Sequence, residues 1–217
     1  MIDRIKGAIF DADGTMLDSM QVWHTVAADY LVSRARTPHP DLNDTLLGMG
    51  GHEIPLYFQN EYRLNDSVED IQQGIHRLLE DFYYTKAPVK QGVIPVLEFL
   101  RARGIKMCVA TATDRYLIEP ALQRCGLLMY FERIFTCGEE RTSKRSPEIY
   151  LKAAEYLGTE IAETLVFEDA LYAVQSASIA GFPVVGVYDE HSDNDQEEIK
   201  RIGDYYVVTM DELLNIL

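Results

Sequence analysis

Asp11 and Asp13 stand at the end of a short apolar run, Gly7-Ala8-Ile9-Phe10-Asp11-Ala12-Asp13-Gly14-Thr15. Such a run reads as a buried strand, and Gly14-Thr15 marks the turn that ends it. Open α/β sheets carry their sites at the carboxyl ends of strands, so two carboxylates are delivered together where chemistry is done. Alternation along an extended chain points them differently, so one can attack while the other handles a proton. Two anions this close repel and raise one pKa, which calls for a cation between them. Taken alone, an Asp-x-Asp also reads as a strand ending in a solvated acidic turn, because clustered acids mark sites only statistically.

Three further places fall at strand ends or in the loops after them: Thr111-Ala112-Thr113, Lys144 and Glu168-Asp169. Singly each is bland: a strand ending in Thr, a solvated lysine, an acid pair capping a helix. Together with the Asp pair they form an inventory for phosphoryl transfer: nucleophile, proton carrier, metal-binding acids, hydroxyl donor and fixed cation.

The elements that must position these residues follow from periodicity. After Asp13 the pattern turns helical. Asp18 or Ser19 can cap a helix through about Arg34, with Val22, Val26, Ala27, Tyr30 and Leu31 on one face. Thr37-Pro38-His39-Pro40 breaks it. A short helix is expected at Asp41–Leu47, then a glycine turn, Gly48-Met49-Gly50-Gly51, and another helix near His52–Tyr62. Ser67 with Asp70 resembles a capping box opening a long helix to about Lys86. From Gly92 onward strands and helices alternate, with strands at Lys106–Thr111, Arg133–Thr136, Leu165–Phe167, Val184–Val187 and Tyr205–Val208. A kink is expected at Pro120 in the helix after Asp114. This alternation predicts an α/β fold, a doubly wound parallel sheet. The expected organisation is a catalytic core over 1–17 and 90–217 with an α-helical cap inserted over 18–89. Because the insertion follows the first strand, it should sit over that strand's carboxyl end as a lid.

The chain has 217 residues, 47% of them hydrophobic, enough for one large domain or one with an insertion. Its 20 Lys plus Arg against 35 Asp plus Glu leave a formal charge of −15, which argues against nucleic acid and anionic membrane as partners. The local acidic excess in 189–198 reads as a solvated loop leading into a helix; the spacing and central Gly of an EF-hand calcium loop are missing. Cys108, Cys125 and Cys137 are odd in number and scattered, which fits reduced thiols in a cytoplasmic protein, with Cys108 in a strand core. The opening residues carry no signal-peptide pattern, and no apolar run approaches membrane-spanning length.

Four segments also resemble, in order and spacing, the motifs of the haloacid dehalogenase (HAD) superfamily: Asp11-Ala12-Asp13-Gly14-Thr15, Val109-Ala110-Thr111-Ala112-Thr113, Ser143-Lys144-Arg145-Ser146-Pro147 and Val166-Phe167-Glu168-Asp169-Ala170. The helical insertion resembles the small cap of the phosphoglycolate-phosphatase and β-phosphoglucomutase-like branch. The resemblance implies a Mg2+-dependent phosphatase with a Rossmann-like core that hydrolyses a small phosphorylated metabolite. It implies Asp11 as nucleophile forming an aspartyl-phosphate and Asp13 as proton carrier. It implies Mg2+ held by the Asp11 carboxylate, the Asp13 backbone carbonyl and the Asp169 carboxylate, with Glu168 one step further out on metal-bound water. Thr111 and the backbone N–H of Ala112 would hold phosphate oxygens, and Lys144 would neutralise charge. Members that cleave carbon–halogen bonds lack Asp at the Asp13 position and ion-pumping ATPases carry Thr there, so Asp13 points to phosphate esters of alcohols. Two departures stand out: Arg145 replaces the usual Pro after the motif lysine, and Ala173 stands where Gly is usual.

The family resemblance puts substrate choice in the cap, with Trp23, His24, Met49, Gly50, Gly51, His52 and Glu53 as candidates. Trp23 sits at helical spacing with Tyr30 and reads equally as cap core; the histidines read equally as surface residues, and the glycine turn as a plain connection. No Arg or Lys follows Gly48 until Arg63, which argues against a substrate with a second anion unless the core supplies Arg115 or Arg145. A phosphomutase of the β-phosphoglucomutase type is the alternative enzyme, and a phospho-aspartate receiver-like signalling module is the alternative from another class. Receivers place their acid pair and phosphoacceptor on different strands and have no helical insertion. Oligomeric state is not readable from these residues.

Overall fold

The computed structural model describes residues 2–46, 49 and 53–216. Gly50, Gly51 and His52, three of the cap candidates, and Leu47 and Gly48 before them lie outside the described residues. The chain divides into two compact units, one of Met1–Ser19 with Ala87–Leu217 and the other of Met20–Lys86.

The larger unit is built on six strands: β1 (Gly7–Phe10), β2 (Lys106–Thr111), β3 (Arg133–Thr136), β4 (Thr164–Glu168), β5 (Val184–Val187) and β6 (Tyr205–Val207). All pairings are parallel, in the order β3-β2-β1-β4-β5-β6. β1 is therefore central, and the chain turns to opposite sides of it, which opens a crevice at the carboxyl ends of β1 and β4. Strands buried on both faces need no alternation, and β1 is buried at all four positions. Register does the positioning. Phe10 pairs with Val109 of β2 and Phe167 of β4, and its ring stacks on Phe167 with centroids 4.0 Å apart. One step beyond, Asp11 donates its N–H to the Phe167 carbonyl at 3.0 Å, so Asp11 and Glu168 emerge side by side.

Helices close each crossover: α5 (Val93–Ala102), α6 (Arg115–Arg124), α7 (Cys137–Glu140), α8 (Glu148–Leu157), α9 (Leu171–Ile179) and α10 (Gln196–Ile202). α6 runs through Pro120 without a break, with Leu117, Ile118, Ala121 and Leu122 all buried. Burial of that face outweighs the loss of one N–H donor. Ile9, Cys108, Val166, Tyr150, Val174 and Val184 belong to one buried cluster, and Ala173 is fully buried in α9.

The smaller unit has its own core of α1 (Met20–Ser33), α2 (Leu42–Leu46), α3 (Glu53–Glu61) and α4 (Val68–Thr85), gathered on Tyr30, Leu31, Phe58, Tyr62 and Ile71. The Ser67 hydroxyl caps α4, accepting from the Asp70 N–H at 3.1 Å and donating to the Asp70 carboxylate at 2.7 Å. α1 and α4 approach closely at Gly74, where a Cβ would lie 2.2 Å from the Tyr30 ring. Trp23 does not join this core as its spacing with Tyr30 suggests. It is 41% exposed and donates its indole N–H to the Tyr83 hydroxyl at 2.9 Å. His24 is also exposed, while Tyr30 fills the interior and stacks on Phe58. No described helix is long and apolar enough to cross a membrane.

The Gly74 contact sets a test of packing against propensity. Gly74→Ala gains about 0.5–1 kcal/mol of helix propensity but forces apart a buried contact at a cost of about 1–3 kcal/mol. Net loss of stability is expected in thermal unfolding; a melting temperature at or above that of the unsubstituted chain would contradict it.

Candidate active site

Three strand ends and one loop deliver the site. At the end of β1 the chain turns through Gly14, whose φ of +81° favours glycine, with the N–H groups of Met16 and Leu17 returning to the Ala12 carbonyl. This turn presents Asp11, Asp13 and Thr15, all buried. β2 ends at Thr111, whose hydroxyl accepts from the Thr113 N–H at 3.0 Å, so the Thr111-Ala112-Thr113 turn is locked from within. β4 ends at Glu168, followed by Asp169. Lys144 reaches in from the loop between α7 and α8.

The Lys144 ammonium, only 4% exposed, donates to Asp11 Oδ1 and to Glu168 Oε1, the second at 2.7 Å. Burial works against its charge, but Asp11 and Glu168 more than offset this, and its pKa is raised. The Tyr150 hydroxyl, from α8, donates to the same Glu168 oxygen at 2.7 Å. Burial, against the pull of Lys144, pushes the Glu168 carboxyl up to about 8. Burial, and then the charges of Asp11 and Glu168, also raise Asp169 well above the usual carboxylate range. Three carboxylates thus share one ammonium. Oxygens of Asp11, Glu168 and Asp169 lie within 4.8 Å of one another, and Glu168 Oε2 has no hydrogen-bond partner among the described residues. Buried, oxygen-only, negatively charged in excess and incompletely satisfied, this donor set fits a hard divalent cation such as Mg2+.

Asp13 is held differently. Its Oδ1 accepts from the Ser19 hydroxyl at 2.5 Å and its Oδ2 from the Thr113 hydroxyl at 2.6 Å. Thr15 donates to Asp169 Oδ1 at 3.2 Å. The sequence-predicted residues Asp11, Asp13, Thr111, Ala112, Lys144, Glu168 and Asp169 therefore belong to one corner of the larger unit. Glu168, expected one step out, stands inside the acid cluster.

Several residues of the site were not anticipated. Ser19 reads as a helix cap, yet its hydroxyl goes to Asp13. Tyr150 reads as a helix-face aromatic; only its phenol, in the helix just after the motif lysine, could have hinted at a polar partner. Lys90 carries no motif, but its ammonium donates to the carbonyls of Gly14 at 2.5 Å and Tyr188 at 2.7 Å and to Asp189 Oδ2 at 2.9 Å. Asp189, expected in a solvated acidic loop, is instead buried, also accepting from the His191 N–H at 3.0 Å. The desolvated lysine beside it explains this: an isolated carboxylate would not be tolerated there. A cavity of about 390 Å³ opens along this pair, lined by Thr15, Asp18, Lys90 and Glu190 among others. It shares only Thr15 with the acid-cluster contacts among the described residues, so it lies beside the acid cluster and not in it.

The fold and this site define a class, and comparison with known proteins agrees. A family model described as haloacid dehalogenase-like hydrolase matches residues 5–181. The chain belongs to the haloacid dehalogenase-like hydrolase family. It is an enzyme of the phosphoric monoester hydrolase kind, which sets aside a receiver module. It is similar to a phosphorylated carbohydrates phosphatase of Thermotoga maritima, 27% identical over 214 residues and covering 98% of both chains. It is also similar to the fructose-1-phosphate phosphatase YqaB of Escherichia coli, 25% identical over 191 residues, covering 86% of this chain and 98% of the relative. A crystal structure from Thermotoga maritima superposes with a TM-score of 0.84 at 26% identity, covering 98% of both chains.

Lys90 offers a stability test. Removing one partner of a largely buried ion pair strands the other, at a cost of about 3 kcal/mol. Lys90→Met should lose about that much in denaturant unfolding, and Lys90→Met with Asp189→Asn should recover part of it. A loss below about 0.5 kcal/mol, the scale of a surface substitution, would show the pair to be unimportant.

Proposed function

We propose that this enzyme is a Mg2+-dependent phosphatase that hydrolyses phosphorylated carbohydrates through an aspartyl-phosphate on Asp11. The observation that carries the reading is the contrast between two acids of one strand end. Asp11 accepts from the Lys144 ammonium, which fixes its carboxylate against a cation, while Asp13 is clasped by the hydroxyls of Ser19 and Thr113. The substrate class rests on the two phosphatase relatives, and a cytoplasmic setting on the three unpaired thiols.

In this mechanism an Asp11 oxygen attacks phosphorus and forms the acyl phosphate as the ester oxygen departs. Asp13 gives that oxygen a proton, then takes one from the water that hydrolyses the acyl phosphate. Lys144 holds Asp11 in place and offsets charge on the transferred group as a point cation. The Thr111 hydroxyl and the Ala112 N–H hold phosphate oxygens. Mg2+, bound by the Asp11 and Asp169 carboxylates and the Asp13 carbonyl, would supply charge neutralisation for the phosphoryl group. Glu168 and Tyr150 keep Lys144 oriented. The larger unit is the catalytic core in this reading, and the helical unit the cap that selects the leaving group.

Hydrolysis of a panel of phosphomonoesters with Mg2+ tests the reading. Asp11→Asn should abolish turnover, and Asp13→Asn should slow it by about 10²–10⁴-fold, the usual worth of general acid–base catalysis. No turnover of any ester, or an active Asp11→Asn, would refute it. Dependence on a sugar bisphosphate primer would favour a phosphomutase instead.

The acid cluster also predicts how metal and pH combine. Glu168 has a folded pKa of about 8, above its unfolded value. Its contribution to stability is therefore fully present below the unfolded value and is lost as pH rises through the folded one. Mg2+ on the adjacent Asp11 and Asp169 would favour the ionised form of Glu168 that burial disfavours, so its stabilisation should grow with pH, reaching roughly 2.7 kcal/mol at a hundredfold excess over Kd. Thermal melts with and without Mg2+ at pH 6 and pH 9 read this directly. An equal gain at both, or none, would count against a cation in the cluster.

A further inference from the structure

Lys144 is followed by Arg145, and the two cations are used differently. The Lys144 charge is committed to Asp11 and Glu168. Arg145 is exposed, and no carboxylate or carbonyl among the described residues pairs with it; its guanidinium lies 4.8 Å from the centre of the Tyr172 ring. Tyr172 stands three residues beyond Asp169, in the first turn of α9, and Arg145 directly follows Lys144. Arg145 is thus a planar donor fork resting on an aromatic face at the edge of the reactive corner. The other core arginine open to this role, Arg115, is consumed: Glu139 takes it at 2.6 and 2.7 Å, Glu119 at 3.2 Å and the Ile134 carbonyl at 2.7 Å.

We propose that Arg145 determines specificity by receiving a second anionic group of the substrate, a carboxylate or second phosphate carried near the scissile phosphate. The inference deepens the phosphomonoesterase reading and rests on it. A guanidinium matches such a group bidentately, which an ammonium does not. Stacking on Tyr172 restrains its plane before the ligand arrives, so less freedom is lost on binding. Because its donors are in water rather than bound to an acid, no protein ion pair has to break.

The test compares phosphoglycolate, which carries a carboxylate, with β-glycerophosphate, whose leaving group is neutral. The ratio of their kcat/KM values should fall about tenfold or more in Arg145→Ala, the scale of one charge-assisted hydrogen-bond pair. A ratio within twofold of that of the unsubstituted enzyme overturns the proposal. Calorimetric binding of the same two esters to Asp11→Asn, with and without Arg145→Ala, reads the preference without turnover. Where neither ester is turned over, this second comparison decides Arg145 by itself: selective loss of phosphoglycolate affinity supports it, and equal affinities overturn it.

Discussion

The site depends on one buried ammonium. Lys144 holds Asp11 and Glu168 together, and without it three carboxylates would crowd a desolvated corner with no fixed counter-charge. Much of the surrounding architecture follows from that need. β1 and β4 must be neighbours, in a register that lets Asp11 and Glu168 leave the sheet at the same level. α8 must follow the lysine loop closely, so that Tyr150 can satisfy the Glu168 oxygen the lysine shares. The cluster remains short of positive charge even so, and this shortage fits it to a cation.

The two acids at the end of the first strand differ through their neighbours and not through their own chemistry. Both are buried aspartates two residues apart. One is set against a permanent positive charge, and the other between hydroxyls that can accept or donate as a proton moves. The Gly14 turn fixes this difference in the backbone, and Lys90 fixes the turn by gripping the Gly14 carbonyl. A chain of contacts from Asp189 through Lys90 to Gly14 thus supports the carboxyl end of β1 from the loop after β5, two strands away.

Much of this was legible from residue types and spacing. Alternating apolar runs and glycine stops identify the strands and the parallel sheet, because a βα repeat has few other ways to bury itself. The acid pair, Thr111 and Asp169 were legible because each falls at a strand's carboxyl end, and Lys144 because it stands in a loop following one. Ser19, Tyr150 and the Lys90–Asp189 pair were not, since their partners lie 6, 18 and 99 residues away and nothing in local spacing announces such contacts. Trp23 misled for a related reason. A 3.6-residue period shows that a helix has an apolar stripe, but not which end of the stripe the neighbouring helices cover.

The segments by which the chain leaves and re-enters the larger unit are themselves paired. The Asp18 N–H donates to the Pro88 carbonyl, the Lys90 N–H to the Met16 carbonyl, and Leu17 bridges Val89. To the sheet, everything from Met20 to Lys86 is a single loop whose two ends are already tied. The entropy of closing such a loop grows only slowly with its length. The core's register therefore owes little to what the loop contains, and helices could be lengthened, replaced or removed between those ends without re-registering a strand. Evolution can change such a cassette freely while the acid cluster at the end of β1 stays as it is built.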